Sequence, residues 1–274
     1  MFAFILVASA AMLGFTSPAP QRLTIVGLDY AFTVPTDVRS GETVVRFENR
    51  GKKDHELNIA LLKVGASPKE FMDSLRAGKQ TAMFRDGPVG VLFAEPGDTS
   101  NARLVVDFMA GRTYVAICIF RDSANAPRHH QLGMSSVIVP VGAAIPSVSV
   151  PVDTIVGNDY AFTRYSRTLA PGRHRLAFIN AGEIRHEAVL GLLKPGVSMK
   201  QFTDALLGGA DALRLVEGSF GLLHTPGKSR PFGMLELDLL PGREYVLICQ
   251  FPDGPAQKPH FMLGMIGSIT VRQR

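Results

Sequence analysis

The strongest constraint on this chain is that it repeats itself. Residues 24–33 read TIVGLDYAFT and residues 154–163 read TIVGNDYAFT, identical at nine of ten positions. The match continues from FENRGKKDHELNIALLKVG (47–65) to FINAGEIRHEAVLGLLKPG (178–196). It includes SPKEFMDSLRAG (67–78) with SMKQFTDALLGG (198–209), and HHQLGM (129–134) with HFMLGM (260–265). From Gly41 onward the landmark residues lie 131 apart, with a small slip near Pro96 and Pro226. A period this long marks two copies of a domain, since stacked short repeats run roughly 20–50 residues. The length of 274 residues suits two domains, and 46% hydrophobic against 19% charged residues lets each copy bury a core.

The expected division is an apolar leader at 1–20, a first domain at 21–141, a linker at 142–151 and a second domain at 152–274. Each unit reads mostly as short strands rich in Val, Ile, Thr and Phe, separated by Gly and Pro signals. RLTIVGLDYAFTV, ETVVRFEN and HELNIALL are strands of the first copy. RLVVDFMAGRTYVAICIF gives two strands turning at Ala110–Gly111, and MSSVIVPV closes the unit. SPKEFMDSLRAG is the one clear helix, with Ser67 as cap, Pro68 in the first turn, Phe71 and Leu75 on one face, and Gly78 at the end. Residues 79–100 read as loop. The fold class is all-β, two sandwiches in tandem, each with one short inserted helix.

The net charge is +5, but Lys and Arg are scattered rather than run together, so no nucleic-acid groove is indicated. The leader is apolar from Phe2 to Phe15, short of the ~20 residues that span a bilayer. It reads as the core of a secretory signal, which predicts a periplasmic or secreted protein with no membrane span beyond the leader. Only two cysteines occur, Cys118 and Cys249, at equivalent positions of the two copies. A disulfide framework would give each domain its own pair.

The same four metal-binding side chains recur in the same order. The first copy has His55, Cys118, His129 and Met134; the second has His186, Cys249, His260 and Met265. Cys to His is C-x10-H and His to Met is H-x4-M in both. Two imidazoles and a thiolate in a plane, with a long axial thioether, are the donor set of a blue-copper site. Glu56 and Glu187 follow the first His and are candidates to orient it by a hydrogen bond. Cys118 also fits a core position, sharing a strand face with Tyr114 and Ala116, and a lone His or Met is commonly surface or filler. His130 is matched by Phe261, His174 by Thr43 and His224 by Phe93, so these three are not expected as ligands.

FENRGKKDH (47–55) and FINAGEIRH (178–186) resemble the first-ligand region of the cupredoxins, the plastocyanin- and azurin-like blue-copper family. CIFRDSANAPRHHQLGM (118–134) and CQFPDGPAQKPHFMLGM (249–265) resemble its Cys–loop–His–Met region, with a longer loop than is usual there. The resemblance implies Greek-key sandwiches, one copper per domain, and single-electron transfer with a redox partner protein in the periplasm or cell envelope. It also implies that the loop imidazoles, His129 and His260, reach the surface as electron ports. Phe261 and Met262 then make the second domain the better docking side. Copper storage or delivery, and a metal-free tandem sandwich that binds another protein, are the alternatives. Multicopper oxidases and nitrite reductases resemble fused cupredoxins but add His-x-His pairs or an interdomain His cluster. No His-x-His occurs here, so no catalytic activity is expected.

Overall fold

The computed structural model describes residues 19–79, 85–145, 150–217, 221–225, 227–228, 231–254 and 256–273. Most of the expected leader lies outside the described residues. No helix among the described residues is long and apolar enough to cross a membrane.

The first half contains β1 (Gln21–Leu28), β2 (Ala31–Thr33), β3 (Arg39–Asn49), β4 (His55–Leu62), α1 (Pro68–Arg76), β5 (Arg85–Ala94), β6 (Ala102–Phe108), β7 (Tyr114–Ile117), β8 (Ser135–Ile138) and β9 (Val141–Ile145). The second contains β10 (Val152–Asn158), β11 (Ala161–Arg164), β12 (Thr168–Leu169), β13 (Gly172–Asn180), β14 (His186–Leu193), α2 (Met199–Leu207), β15 (Val216–Glu217), β16 (Gly221–Thr225), β17 (Gly233–Leu239), β18 (Glu244–Ile248) and β19 (Ile266–Val271). The fold is all-β with one helix inserted in each half. Ser67 caps α1 by accepting from the Glu70 N–H at 3.2 Å. Ser198 caps α2 in the same way, and Gln201 bonds back to the cap residue.

Two expectations are corrected. Residues 79–100 contain a full strand, β5, paired with both β4 and β16. Its sequence RDGPVGVLFA carries the Gly and Pro that signal a loop, but here the glycines answer crowding. A Cβ on Gly87 would stand 2.7 Å from the Phe232 ring, and one on Gly90 would stand 2.4 Å from Leu104 Cδ1. The expected linker at 142–151 begins inside β9, which pairs in parallel with β3.

The halves are joined through both sheets. One nine-stranded sheet runs β11-β10-β13-β17-β6-β3-β1-β2, with β9 beside β3; one ten-stranded sheet runs β12-β19-β18-β14-β16-β5-β4-β7-β8, with β15 beside β14. The register shows a local twofold relation. Leu104 pairs with Leu235, its own counterpart, and Val91 pairs with its counterpart Leu222. The two sandwiches therefore meet edge to edge, as an isologous dimer would. One core runs through both, from Ile25, Phe47 and Leu104 to Phe178, Leu235 and Met265, while smaller clusters sit under α1 and α2. On the nine-stranded sheet the buried Arg175 reaches Glu42 at 3.0 Å and Glu236 at 3.2 Å, and Arg103 meets Glu236 at 3.0 Å, linking charges across the junction.

Candidate metal centres

The ligand residues fall at one end of each sandwich. His55 opens β4, and Cys118 follows β7, the strand beside it. His129 lies in a 3-10 turn, His129–Leu132, and Met134 just precedes β8. The ten-residue loop from Cys to His bulges out and is pinned at its base. The His129 N–H donates to the Phe120 carbonyl at 2.8 Å, and the His130 N–H to the Cys118 carbonyl at 2.9 Å. The Cys118 N–H donates to the Met134 carbonyl at 3.2 Å, which fixes the methionine beside the cysteine. The same bonds recur around Cys249, Phe251, His260 and Met265. Gly133 and Gly264, at φ 117° and 111°, let the chain turn back to the strand.

In the first half His55 Nδ1 and His129 Nδ1 lie 3.1 Å apart, and Cys118 Sγ lies 3.9 Å and 3.5 Å from them. In the second half the corresponding distances among His186, His260 and Cys249 are 3.0, 3.8 and 3.4 Å. All six residues are at most 1% exposed. The point equidistant from each set of three donors lies about 2 Å from each, the length of a metal–imidazole bond. Met134 and Met265 are fully buried. A Cβ on Gly27 would stand 3.3 Å from Met134 Cε, and one on Gly157 would stand 3.0 Å from Met265 Cε. The glycine of each TIVG segment thus leaves room for the thioether. Two imidazoles, a thiolate and a nearby methionine fit copper, one ion per domain.

Burial pushes both thiols up to about 12, only partly offset by the backbone N–H of Glu56 or Glu187 on the sulfur at 3.4 Å. The side chains are therefore thiols until a metal displaces the proton. Burial likewise lowers His55 and His186, keeping those imidazoles neutral and ready to ligate.

The far edge of every ligand imidazole meets a carboxylate that the sequence reading missed. His55 Nε2 is 3.4 Å from Asp29 and His129 Nε2 is 3.2 Å from Asp122; His186 is 3.3 Å from Asp159 and His260 is 2.9 Å from Asp253. These partners hold Nε2 protonated, leave Nδ1 free for the metal and fix the ring. Tyr30 donates its hydroxyl to Asp122 at 2.6 Å, and Tyr160 to Asp253 at 2.7 Å. That bond holds the Asp122 carboxyl below the usual range. Both tyrosines adopt left-handed backbone, φ 66° and 62°, which costs a non-glycine residue on the order of 1 kcal/mol. Each ring meets its imidazole edge-on at 5.2 Å. The repeated Asp-Tyr pair is thus a clamp on both imidazoles. Gly51 and Gly182 accommodate it: a Cβ on either would stand within 2.4 Å of the Asp29 or Asp159 carboxylate.

The structure gives Glu56 and Glu187 a different place from the one expected. Their carboxyls accept from the N–H of Ile119 and Gln250, at 3.2 and 3.0 Å, while Asp29 and Asp159 take the role of orienting the histidines. Both glutamates are pushed up to about 7 by burial. The expected electron ports are also corrected. His129 and His260 are 1% and 0% exposed, each covered in large part by its Tyr–Asp pair. Phe261 packs under α2, leaving Met262 and Leu263 as the exposed apolar residues there. His130 is buried beside the ligand loop, and His174 bonds Asp153 away from the site. The side chain of His224 lies outside the described residues.

No protein-family model and no curated protein matches the chain. Among solved structures, auracyanin B is 22% identical, covering 46% of this chain and 92% of its own, with a TM-score of 0.30. Auracyanin A, a "blue" copper protein from the green thermophilic photosynthetic bacterium Chloroflexus aurantiacus, is 19% identical, covering 45% and 100%, also with a TM-score of 0.30. A Cu-containing nitrite reductase from Thermus scotoductus is 13% identical, covering 93% of this chain and 62% of its own, with a TM-score of 0.26. Each half is a sandwich with a buried His–Cys–His set, similar in fold to these blue-copper proteins, and the chain is a tandem pair of such units with two sites whose donors fit copper. The expectation of no catalytic activity does not stand: the similar structures include enzymes, that nitrite reductase and two multicopper oxidases.

Proposed function

We propose that each domain holds its copper through His55, Cys118, His129 and Met134, or His186, Cys249, His260 and Met265, and that the protein passes single electrons. The observation that carries this reading is the donor triangle, already closed to the size of a metal site and fully buried in both halves. Bound copper supplies a one-electron Cu(I)/Cu(II) couple. The protein supplies a rigid set of donors. Strand β4, the pinned loop and the Asp–Tyr clamps hold the imidazoles in place, so little rearrangement accompanies a change of charge. Cys118 and Cys249 would provide the soft thiolate donors, and Met134 and Met265 would add a weak thioether donor to each. The apolar stretch Phe2–Phe15 supports export, and a redox partner outside the cytoplasm follows from that.

Metal analysis and visible spectroscopy test this reading. The copper-loaded protein is expected to bind two equivalents and to show an intense thiolate-to-copper band. Cys118→Ala and Cys249→Ala each remove one equivalent and about half of the band, with the circular dichroism of the sheets kept. Unchanged copper content in both variants rejects the reading.

A further inference from the structure

The interiors of the two centres match, but the surfaces above them do not. Over His129 lies a cleft of about 510 Å³, and His129 itself forms part of its floor. Four cations line it: Lys52, Lys53, Arg121 and Arg128, against the carboxylates of Asp54 and Asp122. Lys53 sits 3.8 Å from Asp122. Arg121 and Arg128 bond the carbonyl oxygens of Ala124 at 2.8 Å and Ile119 at 2.6 Å, and neither has an ion-pair partner among the described residues. Among the described residues Lys52 has no ion-pair partner. The counterparts of the four cations in the second half are Glu183, Ile184, Pro252 and Pro259. One cleft therefore carries two net positive charges. The other, lined by Ile184, Arg185, Phe251, Pro252 and Asp253, carries no net charge, and Glu183 beside it is paired with Lys228.

We propose that the cleft over His129 is an anion-binding port: it seats a small anionic redox agent, and the first centre is the one that exchanges electrons with it. The volume is that of a small-molecule pocket rather than a flat protein-docking face. Guanidinium and ammonium groups in excess of carboxylates around a concave floor concentrate positive field on that floor. An anion there is separated from the metal position by the His129 ring and the Asp122 carboxylate on its outer edge, since His129 offers Nδ1 to the metal and Nε2 to Asp122 at the floor of the cleft. The proposal rests on the copper reading above.

The test uses the full-length single-site proteins Cys249→Ala, which keeps the first centre, and Cys118→Ala, which keeps the second. Each is copper-loaded, reduced and mixed with hexacyanoferrate(III), an anion, or tris(phenanthroline)cobalt(III), a cation. The centre gives up one electron and the reagent metal is reduced from the 3+ to the 2+ state. The first centre is expected to react with hexacyanoferrate about tenfold faster than the second at low salt. The difference should collapse at about 1 M salt, where the screening length is about 3 Å. The cobalt reagent should show the opposite order. Reversing the exposed charges with Lys52→Glu, Lys53→Glu and Arg121→Glu should remove the preference, and Glu183→Lys with Ile184→Lys should create one in the second half. Equal rates, or a preference that survives charge reversal, overturn the proposal. A second readout needs no copper. Redox-inert hexacyanocobaltate(III), titrated into the metal-free full chain, should shift the amide resonances of Lys53 and Arg121 and leave those of Ile184 and Gln250 in place. Failure of the copper reading leaves this titration to decide alone. Shifts with polyglutamate but not with hexacyanocobaltate would assign the face to an acidic protein and overturn the small-anion port.

Discussion

The two metal-bearing ends differ by 0.1 Å in each of their three donor distances, yet the chain outside them has diverged in charge and polarity. Ligands, carboxylate partners, clamp tyrosines and crowded glycines are the same in both. Lys52 against Glu183, Arg121 against Pro252 and His130 against Phe261 are not. The lesson is that the interior of a centre is set by contacts with no slack, whereas the rim is set by what approaches from solvent. The ends also face apart. His55 and His186 open antiparallel strands three steps apart in one sheet, so the centres lie roughly 25 Å from each other at ~4.8 Å per strand and ~3.3 Å per residue. Each centre therefore meets solvent and partners on its own side, and a relay from one to the other has a long gap to cross.

The comparison breaks most completely at the junction. Arg175→Met leaves Glu42 and Glu236 buried without their shared cation, and about 3–5 kcal/mol of stability should be lost. Because one core serves both halves, chemical denaturation followed at both sets of tyrosines should still show a single transition. Next in size, Asp122→Asn and Asp253→Asn should each weaken copper binding at their own centre by about 10–100-fold, with the other centre unchanged. Competition with a chelator, read on single-site proteins, checks this, and unequal losses would show that the two clamps are not equivalent. A smaller effect should sharpen the difference between the loops. His130 is buried with Nδ1 lacking a partner, where the second half has Phe261 in an apolar cluster. His130→Phe should therefore stabilise the fold by about 1 kcal/mol, seen as a higher Tm. Of comparable size, Ser67→Ala and Ser198→Ala should cost about 0.5–2 kcal/mol, with the larger loss at Ser198, whose cap is reciprocated by Gln201.

Much of this was legible in the sequence because two signals coincide. Short runs rich in apolar and β-branched residues give HELNIALL and YVAIC as strands, and the 131-residue repeat shows which of the scattered His, Cys and Met belong together. Strand β5 was hidden because its glycines and proline imitate a turn, while the glycines answer the nearness of Leu104, on the next strand β6, and of Phe232, far along the chain. The continuous sheets were hidden for a related reason: nothing in the pattern of an edge strand states that its partner is the matching strand of the other copy. Asp29, Tyr30 and Asp122 left a readable signal that went unused. Asp-Tyr stands in the most nearly identical stretch of the chain, and an aspartate follows each cysteine by four residues. Only the folded geometry shows that these polar identities surround the imidazoles. The covering of His129 and His260 was likewise out of reach, because it depends on a tyrosine about 100 residues away adopting left-handed backbone.

The pairing of Leu104 with Leu235 and of Val91 with Leu222 has a consequence for how such a molecule is free to vary. A symmetric pair of separate subunits shows every substitution twice, so neither rim changes without the other, and dilution takes the pair apart. Here both members of the pair are written on one chain. Their meeting does not depend on concentration, and each is edited by its own codons. The junction keeps the discipline of a dimer while the two rims are independent drafts, so one centre is at liberty to acquire lysines and arginines at positions where its twin holds glutamate and proline.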